Sequence, residues 1–269
     1  MRRKQLSEGE WAKIQGLLPN NQGKLGRNYR NHKQVIEGIL WRLRVGAPWR
    51  DIPDMFGPWS TIYCRYRAWI KSGLWHRIFE YVHTICEDGQ QLDWSAHFVD
   101  GTCVRAHQKA AGATTGNAAL GWSRGGLTTK IHVRFDRKGY LLNVEVTEGQ
   151  RNEVTVFEQL MNSGQVKRKW GRPKLRPEAV VGDKGYNAKW VREWAKSKHI
   201  ACVIPKRSNQ TKKGPFNKSL YRQRNLVERR IAHYKEYRAL AFRFEKLSTH
   251  YESNWEIVSI FQNLKKLIS

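Results

Sequence analysis

From residue 97 to residue 205 the sequence keeps breaking into short β-rich runs separated by helical stretches, and that alternation limits the fold more than any other feature. His97–Arg105, Thr129–Phe135 and Tyr140–Thr147 are the first three runs, with Asp136-Arg137-Lys138-Gly139 as the hairpin turn between the last two. A helix over about Glu153–Met161 follows. Next come the apolar run Ala179-Val180-Val181-Gly182-Asp183, a helix from Asn187 to Lys198, a strand at Ile200–Pro205 and a long helix from about Leu220. Strands interrupted by helices in this order predict a mixed α/β sheet of about five strands with flanking helices.

The first 90 residues have a different texture. Ser7 with Glu10 three positions later is a capping-box pattern for a first helix, ended by Pro19-Asn20-Asn21-Gln22-Gly23. Ile36, Ile39, Leu40 and Leu43 mark a second helix that stops near Gly46-Ala47-Pro48, Ser60 is placed to cap a third reaching Trp69, and a fourth runs from Trp75 to about Ile85. The chain therefore divides into a helical unit, residues 1–90, and an α/β unit, residues 91–269. A helix, a tight Gly/Pro turn and a helix carrying Arg65, Tyr66 and Arg67 on one exposed turn fit a helix-turn-helix-like reader of the DNA major groove. A small bundle used for dimerisation fits the same pattern.

Charge narrows the partner. Lys and Arg number 49 against 23 Asp and Glu, a net +26, spread as +7, +9 and +10 over residues 1–90, 91–205 and 206–269. The basic residues are interleaved with Trp, Tyr and Phe, as a folded polyanion-binding surface requires and a disordered tail does not. No apolar stretch approaches a membrane span, and Met1-Arg2-Arg3-Lys4-Gln5 does not lead into a signal-peptide core. Cys64, Cys86, Cys103 and Cys202 lack CxxC spacing and read as reduced core thiols. The expectation is a soluble, unexported, cytoplasmic protein with no membrane partner. Ala110–Gly116 and Ser208–Gly214 read as mobile loops, and Trp122 as a core residue.

Three carboxylates stand out against this basic background. Asp100 and Asp183 each end an apolar strand and each has a glycine beside it, Gly101 and Gly182, that lets backbone or substrate come close. On the late helix, Tyr221, Arg224, Glu228 and Lys235 are spaced by three, four and seven residues and share one stripe. Phosphodiester chemistry needs this combination: carboxylate oxygens hold hard divalent cations, and flanking Arg and Lys neutralise the phosphoryl charge. Lys130, Lys184 and Arg207 lie at strand ends or loops where phosphate contact is plausible. His107, His132 and His233 read as ordinary hydrogen-bonded groups.

Four ordered motifs then carry a resemblance. Val99-Asp100-Gly101-Thr102-Cys103-Val104-Arg105-Ala106-His107-Gln108, Ser123-Arg124-Gly125-Gly126-Leu127-Thr128-Thr129-Lys130-Ile131-His132, Gly182-Asp183-Lys184-Gly185-Tyr186 and Tyr221-x2-Arg224-x3-Glu228-x6-Lys235 resemble the DDE transposases of the insertion-sequence five family. Gly46-Ala47-Pro48-Trp49-Arg50-Asp51-Ile52-Pro53 is similar to that family's N-terminal domain. The resemblance implies an RNase H-like catalytic domain in which Asp100, Asp183 and Glu228 bind two Mg²⁺ or Mn²⁺ ions per active site. It implies that the chain binds the terminal inverted repeats of an insertion sequence, cleaves the ends and joins the 3′-hydroxyls to target DNA, as a homodimer or higher oligomer on double-stranded DNA in a prokaryotic nucleoid. Tyr221, Arg224 and Lys235 are implied phosphate contacts. The run Gln150-Arg151-Asn152-Glu153 departs from the family's usual His or Asn followed by Asp, and Glu153 is read as a cap for the helix after it. A metal-dependent nuclease that cuts without joining, or a catalytically silent DNA-binding regulator, would share these residues.

Overall fold

Ser7 closes a capping box with Glu10, accepting from the Glu10 amide while the Glu10 carboxylate accepts from the Ser7 amide, and so starts α1 (Glu8–Ile14). The computed structural model describes residues 6–20, 31–112, 116–123, 125–208, 210 and 216–268. The two loop segments, the end of the Pro19–Gly23 turn and Arg124 therefore lie wholly or partly outside the described residues. Asn31 accepts from the Lys33 amide to begin α2 (His32–Val45), which ends where Gly46 takes a left-handed φ of 72°. A connection over residues 46–58 with two 3₁₀ turns, longer than the tight turn that the sequence suggests, leads to α3 (Trp59–Lys71). Pro58 holds the cap position of α3, so Ser60 lies inside the helix. α4 (Leu74–Asp88) completes the helical segment.

Tyr66 differs from its sequence reading. It is buried, donates to Asn254 Oδ1 at 2.8 Å and packs against Trp49, because a ring this large stabilises more in the core than on a surface. Arg67 remains exposed and Arg65 half-buried on the same helix. Cys86 is buried, but Cys64 and Cys103 are exposed, so the thiols are free without all being core groups.

The sheet is mixed, with parallel and antiparallel neighbours. β1 (His97–Arg105) pairs antiparallel with β3 (Gly126–Asp136) over its whole length, and β3 pairs antiparallel with β4 (Leu141–Glu148). On its other side β1 runs parallel to β5 (Ala179–Val181), which runs parallel to β6 (Ala201–Val203). The order is β4-β3-β1-β5-β6, and a sixth strand, β2 (Gly121–Ser123), pairs with the start of β3. That strand is the one addition to the five read from sequence.

Alternation along β1 sends its side chains to two cores. Val99 joins Val180, Tyr186, Val191 of α6 (Lys189–Ser197) and Phe157 and Leu160 of α5 (Phe157–Asn162). Phe98 and Val104 join the larger cluster on the opposite face. The late helix is broken into α7 (Lys218–Arg222), α8 (Asn225–Lys235) and α9 (Arg238–Ala241). A further helix, α10 (Ser248–Ile268), packs against α4, α1 and β4, so one core runs through the helical segment and the sheet. Among the described residues no helix is long and apolar enough to cross a membrane.

A buried Arg–Glu ion pair helps tie the N-terminal helices to the C-terminal segment. Arg42 Nη1 on α2 donates to Glu245 Oε1 at 2.7 Å, with the two side chains 5% and 7% exposed, and the guanidinium lies over the Trp49 ring. Removing one partner strands the other charge out of water. Arg42→Met should therefore cost about 3–5 kcal/mol in chemical denaturation, whereas the ordinary exposed arginines should cost less than about 0.5 kcal/mol.

Candidate active site

The parallel register sets the site. His97 pairs with Val180 and Phe98 with Val181, so Asp183, two residues beyond β5, stands level with Asp100 in the middle of β1. Gly182 keeps the two chains close: a Cβ there would lie 3.1 Å from Val99 Cγ2. Asp183 accepts from the Gly185 amide at 2.7 Å and thereby caps the 3₁₀ turn Lys184–Tyr186. Asp100 accepts from the Gly101 amide at 2.9 Å.

The third acid arrives from the helical layer. Arg224, at the N-terminus of α8, donates through Nη1 to Asp100 Oδ2 at 3.1 Å and through Nη2 to Glu228 Oε1. The planar guanidinium fork suits Arg224 to hold two carboxylates from different elements at once. Lys235, further along α8, reaches back to β1 and donates to Thr102 Oγ1 at 2.6 Å. Tyr221 sits on α7, across the helix break from Glu228 and Lys235, with its ring 5.2 Å from Phe216.

A fourth carboxylate is present that sequence reasoning assigned elsewhere. Asn152, not Glu153, caps the turn after β4, accepting from the Val154 amide at 3.3 Å. Glu153 instead turns toward Gly101 and Gly185 and pairs with Lys130 Nζ at 3.4 Å, and Lys130 also donates to the Arg151 carbonyl. The one available signal was an acid just past a strand end on the same edge of the sheet.

Electrostatics follow from this crowding. Burial, with Asp183 and Glu153 adding to it against the Gly101 amide and Arg224, pushes the Asp100 carboxyl up to about 6. Burial raises Glu153 as well, with Asp183 adding and Lys130 opposing. Burial lowers Lys235. The donor set is all carboxylate oxygen, which fits a hard divalent cation. Among the described residues no three His, Cys, Asp or Glu side chains close a metal site by themselves; the Arg224 guanidinium lies between Asp100 and Glu228.

Lys184, Gly185, Arg207 and Ser208 line an open depression of about 550 Å³ beside Asp183. The structure thus brings Asp100, Asp183, Glu228, Arg224, Lys130, Lys184, Arg207 and Lys235 to one region, while Arg65 and Arg67 sit apart on α3. His107, His132 and His233 each contact groups other than the three predicted acids. His132 is buried and held down at about 4, its Nε2 against Thr147 Oγ1, His107 accepts from the Lys109 amide, and His233 contacts Glu236. Trp122 is 77% exposed on β2 rather than in the core.

Comparison with known proteins follows the same outline. A family model described as "Putative transposase of IS4/5 family" matches residues 6–79, and one described as "Transposase DDE domain" matches residues 95–255. The uncharacterized protein y4sN of Sinorhizobium fredii is 33% identical over 109 residues, 40% of this chain and 82% of that protein. An uncharacterized 16.2 kDa protein of insertion element IS402 from Burkholderia cepacia is 32% identical over 102 residues, 36% of this chain and 69% of that protein. Among solved structures, the Mos1 mariner paired end complex with Mn matches at TM-score 0.30 and 12% identity, covering 96% of this chain and 84% of that one. The Mos1 Strand Transfer Complex matches at TM-score 0.32 and 11% identity, covering 93% and 79%. Likeness of that degree says nothing about this chain's chemistry.

The Arg224 fork is the feature most exposed to substitution. Arg224→Met removes the cation that Asp100 and Glu228 share and should cost about 1–3 kcal/mol by denaturant titration. Arg224→Lys should recover only part of that, because an ammonium cannot grip both acids in one plane.

Proposed function

Because the chain belongs to the DDE-domain transposases of the IS4/5 kind, we propose that it binds the terminal inverted repeats of an insertion sequence, cleaves the ends and joins the 3′-hydroxyls to target DNA. The observation that carries this reading is the shared guanidinium: Asp100 and Glu228, 128 residues apart in sequence, hold the same Arg224 beside Asp183. On this reading Asp100, Asp183 and Glu228 hold two divalent cations, Mg²⁺ or Mn²⁺. When bound, such ions supply Lewis-acid activation of the attacking oxygen and stabilisation of the leaving oxygen.

The chain's own residues do the rest. Arg224 and Lys235 face the strand that bears Asp100 and are set to neutralise phosphoryl oxygens as charge develops there. Lys184 and Arg207 flank the adjoining depression, so a phosphate backbone entering beside Asp183 meets two cations. Lys130, drawn to Glu153, supplies a further contact, and Tyr221 borders the same path through its neighbour Arg224. Residues 1–90 then serve as the DNA-binding and dimerisation unit, with Arg65 and Arg67 on phosphates, and residues 91–269 as the catalytic unit. Two ends must be paired, so the active species is a homodimer or larger on double-stranded DNA, associated with the nucleoid of a prokaryotic cell.

Asp100→Ala, Asp183→Ala and Glu228→Ala should each lower strand cleavage and transfer by about 10³-fold or more while DNA binding survives. Transfer retained by any of the three refutes the site. Supplying pre-cleaved ends with free 3′-hydroxyls and a plasmid separates joining from cutting, and cut products without joined ones refute the transposase chemistry. DNA affinity should fall steeply with salt, and Arg65→Ala or Arg67→Ala should each reduce the log–log salt slope by about 1 without changing sequence preference.

A further inference from the structure

Gly101 and Gly185, one beside each strand-borne aspartate, have no positive φ, so their backbone conformation does not call for glycine. Space does. A Cβ on Gly101 would stand 2.8 Å from Glu153 Oε1, and a Cβ on Gly185 would overlap Glu153 Oε2 and lie 2.9 Å from Asp183 Oδ1. The missing side chains leave a notch, and the Glu153 carboxylate fills it. Glu153 Oε2 and Asp183 Oδ1 flank the same absent Cβ, within about 5 Å of each other, where two like charges oppose one another.

A carboxylate needed only as an ion-pair partner for Lys130 has no reason to sit there. Lys130 lies at the side of the notch, 3.4 Å from Oε1, and a glutamate turned outward would keep that pair in water and away from Asp183 and Asp100. Instead two glycines make room for a third acid beside two others on a partly buried edge. Four carboxylates from β1, the loop after β4, the loop after β5 and α8 provide more oxygen ligands than three, and hard divalent cations take six or more.

We propose that Glu153 is a fourth carboxylate of the divalent-cation site, a proposal that rests on the reading of Asp100, Asp183 and Glu228 given above. Lys130 holds that carboxylate in place until a cation competes for it.

The test is Mn²⁺ binding to the full chain without DNA, followed by calorimetry and by the electron paramagnetic resonance signal of free Mn²⁺, with circular dichroism as the check on folding. Glu153→Gln and Asp183→Asn should each weaken Mn²⁺ binding at least about tenfold. Lys130→Met, which keeps the carboxylate and removes its competitor, should bind Mn²⁺ as tightly as wild type or more tightly. Gly101→Ala, which keeps every acid and whose added Cβ meets Glu153 atoms first, should displace that carboxylate and weaken binding, and so serves if the Glu153 variant does not fold. Wild-type Mn²⁺ affinity in Glu153→Gln alongside loss in Asp183→Asn overturns the role of Glu153 alone. Equal weakening by Lys130→Met and Glu153→Gln also overturns it, because the carboxylate would then act only through the lysine. A wild-type chain that binds no Mn²⁺ at millimolar concentration overturns the cation site itself, and this inference with it.

Discussion

Acids gathered on a half-buried sheet edge repel one another, and the surrounding structure is arranged to supply the positive charge that keeps them together. Asp100 is held in mid-strand by its ladder with β3, and the pairing with β5 ends only two residues before it, so it cannot retreat from Asp183. The compensating charge has to come to it. Arg224 does so from the start of α8, and α8 is held in turn by Tyr234, whose ring stacks on Trp255 of α10 at 5.4 Å and meets Phe135 of β3 edge-on. The long core helix therefore sets the site without contributing a residue to it.

Several basic residues counted in the net charge are internal ties. Arg134 is fully buried and donates to the carbonyls of Met161, Ser163 and Gly164, fastening the end of α5 to β3. Burial lowers it to about 9, which still leaves it charged at neutral pH. Arg243 is equally buried and donates to Ala118, Ala119, Thr129 and Glu245, closing the segment before β2 onto the sheet. Backbone carbonyls and the Thr129 hydroxyl, not acids, accept these hydrogen bonds. The surface that a polyanion meets is thus somewhat less basic than composition alone implies.

What could be read from sequence follows the range of the physics involved. The capping box at Ser7 and Glu10 is local, and it formed as the spacing indicated. β1, β3 and β4 were legible because β-branched and aromatic residues run between turn residues, and Gly139 at φ 77° closes the hairpin where its glycine stood. α10 was not legible. Its buried Ser253, Asn254, Glu256, Ser259 and Asn263 alternate with Trp255, Ile257, Val258 and Ile260, so no single apolar stripe marks it. The stripe drawn through Tyr221, Arg224, Glu228 and Lys235 assumed one straight helix, and the break at Gln223 and Arg224 puts Tyr221 on a separate element while turning the guanidinium toward Asp100. Glu153 was out of reach for another reason: an acid just past a strand end reads as a turn cap, and only the fold brings it 52 residues back to fill a gap beside Gly101.

Two electrostatic scales coexist in this chain because water and salt separate them. Over distances beyond about 8–10 Å exposed charges are screened, so the excess of Lys and Arg acts as a diffuse attraction for a polyanion along the surface. Inside that distance Asp100, Asp183, Glu153 and Glu228 face Arg224, Lys130 and Lys235, four acids to three bases within a protein whose total is +26. On the proposed reading a phosphate backbone meets the rim, where Lys184 and Arg207 stand, and a small cation meets the centre. A uniformly basic cleft would hold DNA but repel the ions, and a uniformly acidic one would do the reverse. Placing the acids on rigid strand ends and the bases on a helix and loops around them lets one small region attract both.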